Sequence, residues 1–478
     1  MRTRGHAVPT AYNGRHLRQA GLWSAVACAV AMDAGAQRAG EWRVLFDGRS
    51  LEGWHQCNGT ARYEAADGTI IGRAVLGSPN SFLCTRDSFG DFILEYETQQ
   101  DTELNGGVQI RSIVDPAVKE GRVHGYQVEI DPSPRRWTGG IYDESRRGWL
   151  HTLDSQPAAQ RAFRRGQWNH FRVEAIGHSI RTWVNGVPAA DILDDLTPRG
   201  IIALQVHNIG TDTAMAGAAI RFRNIRIRTA NLPASRTPVR AGTPQYNHVA
   251  NTLSPREHAE GWMLLWDGRT TAGWRGAKRT TFPDHGWAVR DGTLSVLGAE
   301  GKESADGGDI VTEAEYENFE LQVEYRLTRG ANSGIKYFVN TALNQGEGSA
   351  IGCEFQLLDD AVHPDAKLGL GGNRTNAGLY DLIPPVSQRV NGIGEWNRAR
   401  IVVRGRHVEH WLNGFRTVAY ERGTQQWRAL VSHSKYAVWP AFGEARRGRI
   451  LLQDHGNDVS FRSIKLRVLP AADTTGLR

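Results

Sequence analysis

After residue 40 no stretch holds the roughly 18 apolar residues needed to cross a membrane as a helix, so no membrane span is expected there. Cysteine is scarce: Cys28, Cys57, Cys84 and Cys353 are the four. None belongs to a CxxC pair or a Cys/His ladder, which removes the structural-zinc reading. No basic run is interleaved with aromatics, and residues 1–36, with four arginines and Asp33, account for +3 of the formal +6. The small remainder gives no case for a nucleic-acid partner. Helical periodicity is nearly absent.

What is present is a globular composition, 40% hydrophobic and 23% charged, with 54 glycines. That glycine content suits many tight turns. Arg2, Arg4, Arg15 and Arg18 precede the apolar run "GLWSAVACAVAM", and Ala34-Gly35-Ala36 follows. Charge, apolar core and small residues in that order read as a signal peptide over 1–36 and an exported protein, periplasmic or extracellular. Cys28 leaves a lipoprotein anchor as the weaker alternative. In an oxidising compartment Cys57 and Cys84 could pair, which leaves Cys353 single.

The chain repeats itself. "LFDGRSLEGWH" from Leu45 answers "LWDGRTTAGWRG" from Leu265, and "GYQVEID" (125–131) answers "GCEFQLLD" (352–359). "GGIYDESRRGWL" (139–150) answers "AGLYDLIPPV" (377–386), and "IIALQVHNIG" (201–210) answers "RILLQDHGND" (449–458). Matches in one order indicate two copies of one unit. Between them, residues 229–253 are rich in proline and small residues and read as a linker. "SPREHAEGW" then predicts a short helix with Ser254 as cap and Glu257 closing a capping box.

Each unit reads as strands. In "FELQVEYRL" (319–327), Phe319, Leu321, Val323, Tyr325 and Leu327 fall on one face. Asn185-Gly186 and Asn413-Gly414 mark tight hairpins. The expected fold is all-β: two tandem jelly-roll β-sandwiches. Their spans are 41–229 and 262–469, with a linker and short helix over 230–261.

"NSGIKYF", "EFQLLDDAVHPDA", "GLYDLIPP", "GEWNRARIVVRG" and "LQDHGNDVSFRSIKLR" together resemble the 3-keto-disaccharide hydrolase domain family. The resemblance covers nearly everything after residue 41. It implies sandwiches of the concanavalin A-like lectin/glucanase type and action on glycosides whose sugar is oxidised at C3. The second copy carries the fuller pattern. The first reads "NGG" for "NSG", exchanges Gln and Glu in "QVEID", and has no counterpart of His363.

A carbonyl at C3 acidifies the hydrogen on C2. Its removal gives an enolate, the C1 substituent leaves, and water adds. Such chemistry needs a base, an acid for the leaving oxygen, and positive charge or hydrogen bonds at the enolate oxygen. Glu354 and Gln356 lie two apart on one strand face. Asp359 and His363 follow on the next loop. The expected roles are His363 or Glu354 as base, with Asp359 orienting the imidazole or joining both in a divalent metal site. Lys336 is expected at the keto oxygen. Tyr380, Asp381 and His455 are candidate substrate contacts, and Trp439 and Trp149 are candidate stacking platforms. The first copy offers Gln127, Glu129, Asp131, Tyr142, Glu144, Arg147 and His207. The substrate would be an oligosaccharide or glycoside, with no organic cofactor.

Two readings compete with this one. A pair of non-catalytic carbohydrate-binding modules needs aromatics and hydrogen bonders but no matched acid and base. An endo-glucanase would want a carboxylate trio of ExDxxE type, and "EFQLLDD" lacks that spacing.

Overall fold

A computed structural model describes residues 42–100, 103–239, 242–304 and 307–470. The leader over 1–36, including Cys28, lies outside the described residues. No described helix is long and apolar enough to cross a membrane.

The protein is all-β, with two β-sandwiches following one another along the chain. The N-terminal sandwich packs a nine-stranded sheet against a seven-stranded one, and the C-terminal sandwich an eight-stranded sheet against a five-stranded one. Each encloses its own apolar core, built around Phe92, Tyr96, Tyr126 and Phe171 in one and Phe319, Tyr325, Tyr337 and Phe355 in the other. The alternation in 319–327 buries its apolar face as expected. On the opposite face Glu320 and Glu324 are buried too, because Arg400 and Arg467 pair with Glu320 and Arg398 and Arg462 pair with Glu324. Alternation alone cannot reveal a polar face covered by its own ion pairs.

Local chemistry sets the turns. Asn185 and Gly186, and Asn413 and Gly414, all take positive φ. That is the geometry two-residue hairpins need and that Asn-Gly tolerates. Helix Pro255–Ala259 carries the full capping box between Ser254 and Glu257. Three further helices have no periodicity to announce them: Pro157–Gln160 and Leu232–Ser235 are single turns, and Gln425–Ser432, capped by Thr424, buries only Trp427 and is too short to show a stripe. The segment between the sandwiches is partly ordered into the fold. Tyr246–Asn247 adds a parallel edge strand beside Val187–Leu193. Cys57 and Cys84 form a disulfide, and Cys353 is buried and free.

The smaller sheets position the candidate sites. In the seven-stranded sheet, Ile141–Glu144 pairs with His124–Ile130, and Gly148–His151 extends it. In the C-terminal sandwich the corresponding stretch makes only isolated bridges, Phe355 to Leu379 and Leu379 to Ile383. Pro384 and Pro385 follow at once, and proline has no N–H to continue a ladder.

Candidate functional site

On strands Asn332–Asn340 and Ile351–Leu358, Ile335, Tyr337, Cys353, Phe355 and Leu357 enter the core. The period of two sends Gly334, Lys336, Glu354 and Gln356 to the other face. Lys336 stands opposite Glu354 in register, and Gly334 opposite Gln356. The Lys336 Nζ to Glu354 Oε2 distance is 3.7 Å, with both side chains almost fully buried. Gly334 is a glycine for a spatial reason: a Cβ there would overlap Glu354 Oε1. With its amide nitrogen facing the carboxylate, Gln356 donates to Glu354 Oε1 at 3.2 Å. Lys336 also donates to Ser349 Oγ, and Ser349 donates to Asp309.

Burial pushes the Glu354 carboxyl up from the usual range, Lys336, Lys435 and His455 pull it down, and Glu303 opposes them. Lys435 Nζ lies 4.2 Å from the Tyr380 ring centroid. Its backbone N–H donates to Asp381 Oδ2 at 2.7 Å, so Asp381 positions Lys435. Arg374 holds both Asp381 and Asp365, and the Tyr380 hydroxyl donates to Asp365 at 2.8 Å. His455 is half-buried, and its Nδ1 is buried without a hydrogen-bond partner among the described residues.

Three sequence expectations need correction. Asp359 does not orient the imidazole; its carboxylate accepts from Gly330 N–H at 2.8 Å and Ala361 N–H at 3.2 Å, clamping a turn. His363 is not placed as a base. Its Nδ1 accepts from Asp365 N–H at 3.2 Å as the cap of a short helix. The proton then resides on Nε2, so the ring offers solvent a donor. Nor is the metal trio of Glu354, Asp359 and His363 assembled. Among the described residues no group of three or more His, Cys, Asp or Glu is arranged to hold a metal ion. Trp439 is half-buried and packs on the C-terminal core.

The N-terminal sandwich repeats the register with other side chains. Gln109 stands opposite Gln127, and Gly107 opposite Glu129. Gln109 donates to Gln127 Oε1 at 2.7 Å, and Gln127 donates to Glu129 Oε2 at 2.9 Å. A cavity of about 400 Å³ opens above them. It brings together Gln127, Glu129, Tyr142, Glu144, Arg147 and His207, six of the seven first-copy residues that the sequence offered, and adds the stacking candidate Trp149. Asp131 is outside that lining: it binds Arg135 at 2.7 Å and Ser133 N–H at 3.1 Å, as a turn clamp. Arg147 is held by Asp143 and Asp194. A second cavity, about 610 Å³, runs between the sandwiches, and neither cavity is lined by Glu354, Lys336 or Gln356.

Residues 41–228 and 261–467 both match the model of the 3-keto-alpha-glucoside-1,2-lyase-like domain. The chain belongs to this family. It is 38% identical over 231 residues to the 3-keto-disaccharide hydrolase of Bacteroides thetaiotaomicron, covering 44% of this chain and 79% of that protein. A crystal structure from Parabacteroides distasonis, named provisionally as a glycosyl hydrolase, is 30% identical with a TM-score of 0.41, covering 46% of this chain and all of the other. A second structure from that organism, named in the same way, is 26% identical with a TM-score of 0.34, covering 44% of this chain and 99% of the other.

In this 3-keto-alpha-glucoside-1,2-lyase-like chain, sequence reasoning missed Lys435, Ser349, Asp309 and Arg374. Ser349, Asp309 and Arg374 come from loops and Lys435 opens the short helix Lys435–Val438; none has strand rhythm, and no spacing pattern links them to Glu354. Gly334 was the available signal. A glycine inside a strand marks a close approach, and here the approaching group is the Glu354 carboxylate.

Proposed function

We propose that the protein cleaves 3-keto glycosides, with the reaction centred on the Lys336–Glu354 pair of the C-terminal sandwich. Glu354 takes the proton from C2. The C–H electron pair forms the C2–C3 double bond of an enolate, and the negative charge on O3 is met by the Lys336 and Lys435 ammonium groups. The enolate pair then returns, forms the C1–C2 double bond and expels the C1 oxygen, which takes a proton from His455. Water adds across the new double bond, its hydroxyl to C1 and a proton to C2, so the net change is hydrolysis. Asp381 and Arg374 hold Lys435 and Tyr380 in place, and Gln356 steadies the carboxylate.

The buried lysine–carboxylate contact at 3.7 Å carries this reading. A carboxyl raised by burial is a stronger base than one in water, and the charges of Lys336 and Lys435 favour its ionised form against that burial. The activity in the name of the Bacteroides relative agrees with it. Export through the leader and a pair of sandwiches derived from one unit complete the proposal.

The test is release of the aglycone from a 3-keto glucoside at mild pH, with a no-enzyme control for chemical breakdown. Glu354→Gln should lower turnover by about 100-fold or more. A rate equal to the wild type would remove Glu354 from the chemistry.

A further inference from the structure

The cavity of about 610 Å³ between the sandwiches has a different chemistry from the Lys336–Glu354 site. Its floor is the outer face of the eight-stranded sheet. Strand Phe319–Leu327 turns Phe319, Leu321 and Val323 into the core and presents Glu320, Gln322 and Glu324 to the cavity. Gln322 stands opposite Arg400 on one neighbouring strand, and Arg400 stands opposite Trp411 on the next. On the other side Glu320 stands opposite Arg467, and Arg467 opposite Trp262. Four strand spacings, roughly 19 Å, separate the strand of Trp262 from that of Trp411. The floor is therefore a trough across the sheet, long enough for an oligosaccharide.

The roof comes from the N-terminal sandwich and the segment that joins the two. Trp149, Leu150 and Tyr246 line it. The Tyr246 ring lies 4.6 Å from the His151 ring. His248 ties roof to floor: Arg398 donates to its Nδ1 at 3.0 Å, and its Nε2–H donates to the Leu150 carbonyl at 3.1 Å.

Charge on the lining is already matched. Arg398 and Arg462 hold Glu324, Arg400 and Arg467 hold Glu320, Arg256 holds Glu260, and Arg147 is held from outside by Asp143 and Asp194. No lysine lines the cavity. Burial pushes Glu320 and Glu324 up, but their arginines outweigh it and leave both below the usual carboxylate range. Neither is a proton donor near neutral pH. A charged ligand would have to break these pairs and leave a buried charge uncompensated.

The groups left over are neutral. The Gln322 amide and the indole N–H groups of Trp149, Trp262 and Trp396 have no hydrogen-bond partner among the described residues. A wholly apolar ligand would strip water from them and return nothing. Sugar hydroxyls can pair with them, and the C–H faces of a sugar ring suit indole surfaces. Guanidinium groups brace those rings, Arg400 at 5.0 Å from Trp411, Arg467 at 5.0 Å from Trp262 and Arg462 at 4.1 Å from Trp396. The volume lies within the range of small-molecule sites.

We propose that this cavity is a non-catalytic binding site for an uncharged, unoxidised oligosaccharide, with Gln322 on its hydroxyls and Trp262, Trp396 and Trp411 as its platforms. The expectation of a sugar rests in part on the C-terminal reading; the site does not.

The experiment titrates the full-length protein with cellotetraose, maltotetraose and the acidic tetramer of galacturonic acid, followed by calorimetry and tryptophan fluorescence. Saturable binding of a neutral tetramer is expected, with a change in fluorescence and no binding of the acidic one. Gln322→Ala breaks no ion pair and should raise Kd about tenfold, and Trp411→Phe should raise it several-fold. Both should turn over a small 3-keto glucoside within about twofold of wild type. Glu354→Gln protein should bind as wild type does. No saturable binding of either neutral tetramer overturns the proposal, as does tighter binding of the acidic one, or a Kd that both cavity variants leave unchanged. Binding lost in Glu354→Gln overturns it too, by placing the sugar in the C-terminal site. Wild-type protein that binds a tetramer but turns over no 3-keto glucoside sinks the C-terminal reading and leaves this site standing.

Discussion

In the C-terminal sandwich Lys336 faces Glu354 across two strands; at the same register in the N-terminal sandwich Gln109 faces Gln127. One pair is charged and the other neutral. The N-terminal carboxylate, Glu129, sits one same-face step away with amide donors as its hydrogen-bonding partners. Without an ammonium group in contact, burial carries it to about 7. In the C-terminal site two lysines and a histidine resist the same burial. Similar sheets thus hold two acids that ionise under different control, one by a cation and one by neutral donors.

Removing the cation is the strongest way to break that difference. Lys336→Met leaves Glu354 buried without its ion-pair partner. Breaking a buried pair costs about 3–5 kcal/mol, so a clear fall in melting temperature is expected. Lys336 lowers the Glu354 pKa, so its loss raises it further. The acid limb of the rate profile should therefore move to higher pH. An unshifted limb would show that Lys336 does not govern the Glu354 charge.

Glu129→Gln probes the other side. A carboxyl raised in the folded state binds more protons than the unfolded chain between the ordinary carboxylate range and about pH 7. Stability then falls as pH rises through that window. The variant should gain up to about 3 kcal/mol over wild type above pH 7 and nothing near pH 4. Thermal melts at the two pH values check this, and a gain independent of pH would contradict it.

Gly334→Ala sharpens the comparison at the level of packing. The added methyl must displace Glu354, and a misplacement of about 1 Å is worth about 100-fold in rate. Gly107→Ala makes the same intrusion on Gln127. It should leave turnover at the C-terminal site unchanged while costing about 1–3 kcal/mol of stability. Equal losses of that turnover in the two variants would erase the distinction. The smallest effect is expected from His363→Ala. It removes a cap worth about 1 kcal/mol and should change turnover by less than about threefold. A loss near that of Glu354→Gln would restore His363 to the chemistry.

Much of this was readable before any coordinates. The Asn-Gly hairpins, the capping box at Ser254 and the buried face of 319–327 follow from local rules, and the structure contains each of them. The grouping of Gln127, Glu129, Glu144 and His207 also carried through, because neighbouring strands deliver them to one face. Loops were less legible. Asp359 and His363 are residue types that serve equally as catalysts and as turn clamps, and only the positions of Gly330, Ala361 and Asp365 N–H separate the two uses. Lys435 reaches Glu354's surroundings from a segment 81 residues downstream. Arg389 and Phe415 line the N-terminal cavity from a sandwich that sequence order alone does not place against it.

Proton removal from C2 is the central claim, and cleavage in heavy water tests it most directly. Wild-type protein acting on a 3-keto glucoside should release a 3-keto sugar carrying one deuterium at C2, above the exchange seen without protein. Product that keeps its original C2 hydrogen while turning over at the full rate would contradict the account.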